Sequence, residues 1–437
     1  MASCTGFFAC TELQADLAFS PKGDLFVLGD QEIFKYTADG TKNTFATLSK
    51  KPISLAFDSA GNLFVGDFGG SIFRFSPDRR KTTFVTGLKD AGKLACDAAG
   101  NLFVGDEVES SILKFAPDAR KSTVVSNVHA EKMVLDPSGN SFVPTRVGNA
   151  ILKITSNGVK TTFATGIEYA DALTVDPAGN LFVYAWPGTI LKITADGSKH
   201  AFVTDLEISI PFSTCNSRGD LFVGLPDNDT ILEFTPDGKK RELDAGPHPT
   251  GMVFDKKGNL FVKVSSAIYK FDSAGNKSTF ASDWLSPDKR WEYQRSDNGE
   301  RGTIVKAGTN QVVQDLSDVP APAVSDAEMV WAPDSKRFAV NYRDGRSFVT
   351  ELYQLNGSGW VALRSPVEAT LPIVEKGSSK DTQEPGLDSW SVEKWIDSET
   401  ALMSAQLRTS NSRFIFTLKF DAAGNWKIVH QTKEKAE

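Results

Sequence analysis

The sequence lacks the features by which membrane-spanning, nucleic-acid-binding and many catalytic proteins are recognised. It has no apolar run of 18 residues, so no membrane-spanning helix is expected. Its 48 basic and 55 acidic residues are intermixed and give a formal charge of −7, which argues against a nucleic-acid-binding face. No Cys-x-x-Cys, His-x-x-x-His, phosphate loop or Ser/His/Asp order occurs. These absences predict a soluble chain in which no local motif encodes catalysis.

Cysteine is scarce, with four residues in 437. Cys96 and Cys215 occupy equivalent positions of a repeat where other copies have apolar residues, so we expect buried thiols. Cys4 and Cys10 leave two alternatives open, a disulfide or two free thiols. The chain starts without a basic segment or an apolar stretch long enough for a signal peptide, which leaves the compartment open. A periplasmic or secreted location fits if a signal has been trimmed.

The dominant feature is the phrase Gly-Asn-Leu-Phe-Val, which occurs seven times, exactly or in a close variant, at steps of 38 to 40 residues. The copies begin at Gly23, Gly61, Gly100, Gly139, Gly179, Gly219 and Gly258. Each copy contains four short apolar segments, which in the second copy are residues 54–57, 63–65, 71–75 and 82–85. A period near 40 with strand-like content is typical of a propeller blade. We therefore predict an all-β, seven-bladed β-propeller with four-stranded blades in residues 1–284.

Most of the repeated polar residues have a structural interpretation. The segment Asp-Ser-Ala-Gly-Asn at 58–62 combines an Asp that bonds its own backbone with a Gly that supplies positive φ, which predicts a tight hairpin turn. Lys114, Lys153 and Lys192 stand between apolar residues of the third segment, and alternation predicts that they form a solvated stripe. An additional copy of the fourth segment at residues 5–9 is expected to complete the last blade and close the ring.

Beyond residue 284 the period is lost, although a looser similarity links residues 286–291, 332–338 and 395–399. Well-alternating segments follow at 347–355 with 359–363, and at 413–420 with 425–429. We predict a smaller, mainly β domain at 285–437 with three irregular blade-like units. Residues 319–325 and 375–386 have the composition of long loops.

The unit from Leu55 to Asp67, followed by Ser71-Ile72-Phe73-Arg74-Phe75, resembles the NHL repeat and more broadly the superfamily of gluconolactonase-type and virginiamycin-B-lyase-type propellers. The resemblance covers residues 5–284 and implies a propeller whose members differ in the residues that line the channel. The segments Ser-Pro-Asp-Lys-Arg at 286–290 and Ala-Pro-Asp-Ser-Lys-Arg-Phe at 332–338 look like strand starts of TolB-type propeller repeats.

In such a blade the first strand lines the channel. The loops that precede first strands share one face, here called the channel face, with the loops between second and third strands. Alignment of the repeats predicts a mixed-charge mouth on this face, made by Asp16, Lys93, Glu131, Lys132 and Asp171. Second strands end in Asp30, Asp67 and Asp106 in early copies, whereas Tyr184, Trp186 and Pro226 replace that pattern in later copies. This asymmetry predicts a binding surface, because folding alone does not require it.

The leading functional hypothesis is a monomeric, non-catalytic binding propeller that takes a small molecule or protein partner at the channel face. The alternative, implied by the resemblance, is a lactonase or lyase that depends on Ca²⁺ or Mg²⁺, with Asp16, Glu131 and Asp171 as the possible metal ligands. Lys93 and Lys132 keep a third interpretation open, in which the charges neutralise one another around a water-filled channel. His248 lies in Gly-Pro-His-Pro-Thr-Gly at 246–251, which is similar to a loop of the lyases and also to an ordinary NHL turn.

Overall fold

The structure is a computed structural model of the chain. It describes residues 17–136, 138–145, 147–186, 188–206, 212–246, 248–264, 267–282, 284–295, 301–307, 311–320, 328–344, 347–357, 359–377, 388–407 and 412–435. Contacts divide the chain into two compact units, Met1–Phe280 (unit 1) and Ala281–Glu437 (unit 2). The boundary at 284/285 stays a prediction, as do the closing strand at residues 5–9 and the state of Cys4 and Cys10, which lie outside the described residues.

Unit 1 is built from four-stranded antiparallel meanders, of which the described residues contain seven. Sheet 1 contains β1 (Leu17–Phe19), β2 (Leu25–Leu28), β3 (Glu32–Tyr36) and β4 (Lys42–Thr47). Sheet 2 contains β5 (Pro52–Phe57), β6 (Leu63–Asp67), β7 (Ile72–Phe75) and β8 (Lys81–Val85). Sheet 3 contains β9 (Lys93–Cys96), β10 (Leu102–Asp106), β11 (Ser111–Phe115) and β12 (Lys121–Ser126).

The next four sheets follow the same order along the chain. A 3₁₀ turn at Ala130–Lys132 precedes sheet 4, which contains β13 (Val134–Leu135), β14 (Ser141–Pro144), β15 (Ala150–Ile154) and β16 (Lys160–Thr165). Sheet 5 contains β17 (Ala170–Val175), β18 (Leu181–Ala185), β19 (Thr189–Ile193) and β20 (Lys199–Val203). Sheet 6 contains β21 (Phe212–Cys215), β22 (Leu221–Leu225), a 3₁₀ turn (Pro226–Asn228), β23 (Thr230–Phe234) and β24 (Lys240–Asp244). Sheet 7 contains β25 (Gly251–Phe254), β26 (Leu260–Lys263), β27 (Ala267–Phe271) and β28 (Lys277–Ser282). The predicted all-β class is confirmed.

The turn between the first two strands of a sheet is held by a carboxylate and an amide side chain. Asp58 Oδ1 accepts the N–H of Asn62 at 2.8 Å, and its Oδ2 accepts from Asn62 Nδ2 at 2.7 Å. Gly61 supplies the positive φ of 86°. Sheet 6 reverses the pair, because Asn216 Oδ1 accepts the N–H of Asp220 at 3.0 Å and its Nδ2 donates to Asp220 Oδ2 at 2.7 Å. These repeated residues are therefore structural, as predicted.

Phenylalanine forms the core between and within the sheets. Phe64 of β6 is buried and meets Phe84 of β8 edge-on at a centroid distance of 5.1 Å. Equivalent pairs in other sheets have centroid distances of 4.8 to 5.1 Å: Phe26–Phe45, Phe142–Phe163, Phe182–Phe202 and Phe261–Phe280. Edge-to-face rings stabilise a core beyond the area that they bury. The repeated Phe positions thus explain the high Phe content.

Sheet 1 contacts sheet 7 through a pair of aromatic residues at the positions that also join sheets consecutive along the chain. Neighbouring sheets share an edge-on pair at 5.0 Å, as in Phe26–Phe57 and Phe222–Phe254. Phe19 of β1 makes the same contact with Phe261 of β26, also at 5.0 Å. Strands β1 and β25 touch, and Lys256 Nζ donates to the carbonyl oxygen of Pro21 at 2.6 Å.

The lysines of the third strands are less solvated than predicted. Lys153 is half-buried, and its Nζ lies 5.4 Å from the ring centroid of Phe142 and 5.7 Å from that of Phe163. The register explains this, because Lys153 is paired directly with Phe142. Aromatic faces attract the ammonium group, while the lysine stem covers the rings. The stripe is therefore part of the packing of each sheet.

Neither Cys96 nor Cys215 forms a disulfide within the described residues, and Cys215 is buried. Burial raises the pKa of the Cys96 thiol well above its ordinary value, and the nearby carboxylates of Asp58 and Asp97 add to the effect. Both residues end the first strands of their sheets, where the sequence predicted small buried hydrophobes.

Unit 2 contains three antiparallel meanders in its described residues. The first contains β29 (Trp291–Arg295), β30 (Arg301–Lys306) and β31 (Val312–Pro320). The second contains β32 (Glu328–Trp331), β33 (Arg337–Asp344), β34 (Ser347–Asn356) and β35 (Gly359–Ala362). The third contains β36 (Asp388–Asp397), β37 (Thr400–Gln406), β38 (Ser412–Phe420) and β39 (Trp426–Lys435). A short parallel pairing of β34 with β36 joins the last two meanders into one eight-stranded sheet, which the sequence did not predict.

A helix, α1 (Pro366–Gly377), connects the last two meanders, and its last residues were predicted to be loop. Pro372 in the interior of this segment argues against a helix at the level of sequence, because proline removes a helical hydrogen bond. Packing compensates, since Val374 is fully buried and Thr370 Oγ1 accepts from Trp390 Nε1 at 3.1 Å. No helix in the described part of the chain is both long and apolar enough to cross a membrane.

Arg337 of β33 holds the joined sheet of unit 2 together. It is buried, and its Nε donates to Gln354 Oε1 at 2.7 Å. Its two terminal nitrogens donate to the carbonyl oxygens of Ser398 at 2.7 Å and Asp421 at 2.6 Å. The guanidinium also lies 5.6 Å from the ring centroid of Phe420. One side chain thus links β33 and β34 to two turns of the third meander.

Candidate functional site

The channel face can be located from the topology of unit 1. Because each sheet is an antiparallel meander, the loop between its second and third strands lies at the same end as the loop that leads into the next first strand. First strands of neighbouring sheets contact one another, as do β5 with β9 and β17 with β21. The channel face therefore consists of these two sets of loops around the inner strands.

The three predicted metal ligands have no described side chains. Asp16 lies outside the described residues. The backbone of Glu131 lies in the 3₁₀ turn Ala130–Lys132, and that of Asp171 lies in β17, but their side chains are not described. The described side chains contain no group of three His, Cys, Asp or Glu residues able to hold a metal ion. The predicted cation site therefore stays a prediction.

The two predicted lysines lie where the alignment expects them. Lys93 is the first residue of β9, and Lys132 ends the 3₁₀ turn that leads into sheet 4. Both side chains are half-buried. They thus occupy equivalent positions at the inner edge of the channel face.

The predicted acidic side of the mouth contains few available carboxylates. Asp67 is buried, and its Oδ1 accepts the N–H groups of Gly69 and Ser71, each at 2.9 Å. Asp106 is also buried, and it accepts the N–H of Glu109 at 3.0 Å. These two carboxylates are used to close their own turns, and turns of this kind need no ligand.

The two residues of the predicted aromatic side of the mouth, Trp186 and Tyr184, differ in exposure. Trp186 follows β18 and is exposed, whereas Tyr184 is buried in the core between sheets 5 and 6. Period-two alternation would place residues 184 and 186 on the same side of the sheet, and they differ because Trp186 lies just beyond the end of β18.

Four further apolar residues on the channel face were not predicted as site residues. Together with Trp186 they are 61% to 79% exposed and form what we call the apolar arc: Phe68, Val108, Val147, Tyr169 and Trp186. They come from loops of sheets 2, 3, 4 and 5, which are consecutive. In the described part of unit 1, Val159 is the single large apolar residue of comparable exposure, at 54%, on the opposite face. The available sequence signal was a large apolar residue in a loop between the strand segments.

Tyr169 has an unusual backbone. Its φ of 48° lies in the left-handed region, which bulky residues rarely adopt. It is the last residue before β17 and stands at the repeat position that His129 and His248 occupy in sheets 4 and 7. Backbone strain at an exposed residue is typical of functional surfaces, and Tyr169 lies at the inner edge of the channel face.

The two histidines at this repeat position have different surroundings. His129 Nδ1 lies 3.9 Å from Glu107 Oε1, which is in the neighbouring loop of sheet 3. His248 is exposed, has a φ of 50°, and donates its backbone N–H to Asp229 Oδ1 at 2.7 Å. This hydrogen bond supports the structural interpretation of the His248 turn, while a role of its imidazole in binding stays a prediction.

A groove between the outer strands of sheets 4 and 5 lies away from the apolar arc. Thr162, Thr165 and Gly197 line it, and Lys199 closes it by donating to the carbonyl oxygens of Thr165 at 2.5 Å and Gly166 at 2.8 Å. Since its cation already has protein partners, the groove has the character of a packing crevice between sheets.

Comparisons with known proteins support the fold. No protein-family model matches the sequence, and no curated protein matches it. A streptogramin B lyase is similar over 63% of this chain and 95% of its own, with 16% identity and a TM-score of 0.52. PorZ, an essential bacterial surface component of the type-IX secretion system of Porphyromonas gingivalis, is similar over 97% of this chain and 60% of its own, with 11% identity and a TM-score of 0.50. A putative gluconolactonase has 14% identity and a TM-score of 0.37, with 62% of this chain and 89% of its own covered.

The chain therefore has a propeller fold, similar to those of the streptogramin B lyase and PorZ. Identities of 16% and 11% extend to the fold and no further. The predicted similarity of unit 2 to TolB-type repeats stays a prediction.

Proposed function

We propose that this chain is a non-catalytic binding propeller whose channel face takes a ligand or protein partner. The observation that carries the proposal is the apolar arc. Large exposed apolar patches mark interaction sites on soluble proteins, because leaving such side chains in water gains nothing for folding. Tyr169 strengthens the argument, since its left-handed backbone costs stability while its side chain stays exposed.

We also infer that the seven sheets are the blades of a closed seven-bladed ring. The support is the Phe19–Phe261 contact, which repeats the contact between sequence neighbours at the same centroid distance of 5.0 Å. A closed ring removes exposed sheet edges from unit 1 and provides a rigid base for loops on one face.

Photo-crosslinking from single positions tests the proposed face. Benzoylphenylalanine is placed at Trp186, at Phe68, or at Val159 on the opposite face, each in the full chain. We expect a discrete adduct from the first two positions and none from the third, because a partner that covers the arc brings its atoms to the reactive ketone. Any captured partner is then purified and titrated against the Trp186→Ala variant. Equal crosslinking from Val159, or unchanged affinity of Trp186→Ala, would contradict the proposal.

The alternative is a lactonase or lyase that depends on Ca²⁺ or Mg²⁺. It is favoured by one observation, that the backbones at Glu131 and Asp171 lie at the inner mouth ends of neighbouring sheets, where β17 touches the 3₁₀ turn Ala130–Lys132. Three oxygen ligands on this rim would fit a hard cation, which lowers the pKa of a bound water. These residues form the metal hypothesis together with Asp16.

Calcium titration separates the two functions. A ligand that binds only the folded state raises the melting temperature as its concentration increases. At 100 times its Kd it adds about 2.7 kcal/mol to the free energy of unfolding. The enzyme alternative predicts a rise in the wild type that is lost in Asp171→Ala and kept in Asp90→Ala, a half-buried carboxylate of another loop on the same face. The binding proposal predicts no calcium-dependent rise in either variant or in the wild type.

A further inference from the structure

We propose that Asn356 is a site of spontaneous deamidation, through which the β34–β35 hairpin of unit 2 gains a carboxylate as the protein ages. The reactants are the side-chain amide and water, and the products are ammonia and either aspartate or isoaspartate. The inference does not depend on the proposed binding function. It is carried by two Asn-Gly pairs that the fold treats differently, Asn157–Gly158 and Asn356–Gly357. A third pair, Asn298–Gly299, lies outside the described residues.

The reaction needs an available backbone nitrogen beside an available asparagine side chain. The Gly357 nitrogen attacks Asn356 Cγ, a C–N bond forms, and ammonia leaves with the proton that the backbone nitrogen carried. Water then opens the resulting five-membered imide at either carbonyl, which gives aspartate or isoaspartate. Glycine favours the ring closure because it has no Cβ to crowd the attacking nitrogen. Hydrogen bonds that hold the amide oxygen and the glycine N–H in other directions oppose it.

Unit 1 contains a turn that holds both groups in this way. In the turn between β15 and β16, Asn157 Oδ1 accepts the hydroxyl of Thr155, and Gly158 donates its N–H to the carbonyl oxygen of Thr155 at 2.8 Å. The hydroxyl oxygen of Thr155 also accepts the N–H of Val159 at 3.0 Å. Deamidation of Asn157 therefore requires that this turn first opens.

The same turn recurs at the Asp-Gly pairs of unit 1, which are able to undergo the same ring closure. The three aspartates accept the hydroxyl of the threonine two residues earlier, and the glycines that follow them donate to the carbonyl oxygen of that threonine at 2.8 Å: Asp39, Asp196 and Asp237. The protection is thus built into the repeat and does not depend on whether asparagine or aspartate occupies the turn.

The Asn356–Gly357 pair lies in a different kind of turn. Asn356 ends β34 and pairs with Gly359, the first residue of β35. Asn356 and Gly357 are both exposed. Among the described residues, neither the Asn356 side chain nor the Gly357 N–H has a hydrogen-bond partner. A Cβ built at Gly357 would meet no atom of the described chain within 4 Å, so there is open space for the ring.

The position of Asn356 at the end of the ladder also favours the reaction. The next pair inward is Leu355 with Trp360, and Trp360 is buried in the aromatic core of unit 2. The terminal pair of a ladder opens without unpacking such a core. Isoaspartate adds a methylene to the backbone at this point, so we expect the product to change the turn and to leave Trp360 packed.

Incubation of the full chain at pH 8, well below its unfolding temperature, tests the inference. Peptide mass spectrometry follows the deamidated fraction at both sites, and a parallel sample in urea supplies the rates of the unfolded chain. We expect similar rates at the two sites in urea. In the native chain we expect Asn356 to react about tenfold faster than Asn157, the factor that two hydrogen bonds of ordinary strength supply. A native chain in which Asn356 reacts no faster than Asn157 overturns the inference.

A variant of the protected turn gives the second readout. Thr155→Val removes the hydroxyl and keeps the branched shape, so we expect the native rate at Asn157 to rise by about threefold or more and the rate at Asn356 to stay the same. The matched control Thr235→Val removes the equivalent hydroxyl of sheet 6 and is expected to change neither rate. An unchanged rate at Asn157 in Thr155→Val would refute the protection on which the contrast rests.

Asn356→Gln assigns the signal to its residue. Glutamine would have to close a larger ring, so we expect this variant to lose deamidation from the hairpin peptide and to keep the native fold. A mass change that persists in the hairpin peptide of Asn356→Gln comes from another residue, and it would contradict the assignment to Asn356.

Discussion

The contact between Phe19 and Phe261 provides a quantitative test of ring closure. Phenylalanine-to-alanine changes in cores cost about 3 to 5 kcal/mol. Phe19 is only partly buried, so we expect Phe19→Ala to lose roughly half of that, about 2 kcal/mol. Phe57 makes the equivalent contact between sheets 1 and 2 with the same class of burial and centroid distance, and is the matched control. In a closed ring, Phe19→Ala and Phe57→Ala cost the same within about 0.5 kcal/mol.

A double-mutant cycle isolates the closure contact from the general loss of burial. The cycle of Phe19→Ala with Phe261→Ala should give a coupling energy of about 1 kcal/mol, as expected for an edge-on aromatic pair. The cycle of Phe57→Ala with Phe26→Ala should give the same value. Native-state hydrogen exchange measured on peptides of β1 and β26 reports these energies for unit 1 separately from unit 2. A coupling near zero for Phe19 with Phe261, beside a normal value for the control cycle, would refute closure through this contact.

Three further predictions concern unit 2, the thiol of Cys96 and acid stability. Arg337→Ala should destabilise unit 2 by about 3 kcal/mol, because it removes three charged hydrogen bonds made by a buried guanidinium. Lys427→Ala on the exposed face of β39 should change the free energy of unfolding by no more than about 0.5 kcal/mol. Urea unfolding followed by tryptophan fluorescence measures both values. Cys96 should resist iodoacetamide at pH 8 in the native chain and react after unfolding, because its pKa is raised in the folded state. Labelling of Cys96 in the native chain, detected by mass spectrometry, would contradict this environment of the thiol. Hydrogen bonding by the Thr235 hydroxyl lowers the pKa of Asp237 from 3.8 to about 2. The stability that this carboxylate contributes is therefore present above pH 4 and lost as pH falls toward 2. The melting temperature of Asp237→Asn should fall less over that interval than that of the wild type.

The repeat determined which parts of the fold could be predicted from sequence. A buried Phe at a fixed period and an Asp–Asn pair around a Gly leave few alternatives to a four-stranded meander, so the strands of unit 1 follow the predicted segments closely. The joining of the meanders in unit 2 could not be predicted. It depends on Asn341, whose side-chain Oδ1 accepts the N–H of Val392 at 2.9 Å and whose Nδ2 donates to the carbonyl of Val392 at 2.8 Å. No sequence pattern reveals a side chain that completes a sheet 51 residues away.

The candidate site was predicted only in part for a related reason. The sequence locates the channel face by the equivalence of its loops, and Trp186 was identified there because it departs from the acidic pattern of the early repeats. The sequence does not reveal whether the side chain of a loop residue points outward. Asp67 folds back onto its own turn and is buried, while the adjacent Phe68 is exposed, which is the reverse of what polarity alone predicts. Exposure of apolar loop residues is set by turn geometry, and hydrophobic patterning does not encode it.

The affinity of a partner for the wild type, Trp186→Ala and Val159→Ala shows whether the channel face is the binding surface. Isothermal titration with the partner captured from position 186 supplies the three dissociation constants. We expect Trp186→Ala to weaken binding by about 2 kcal/mol or more, roughly thirtyfold, as for a buried aromatic anchor. We expect Val159→Ala to leave the dissociation constant unchanged. Equal affinities for all three proteins would contradict the assignment of the channel face as the binding surface.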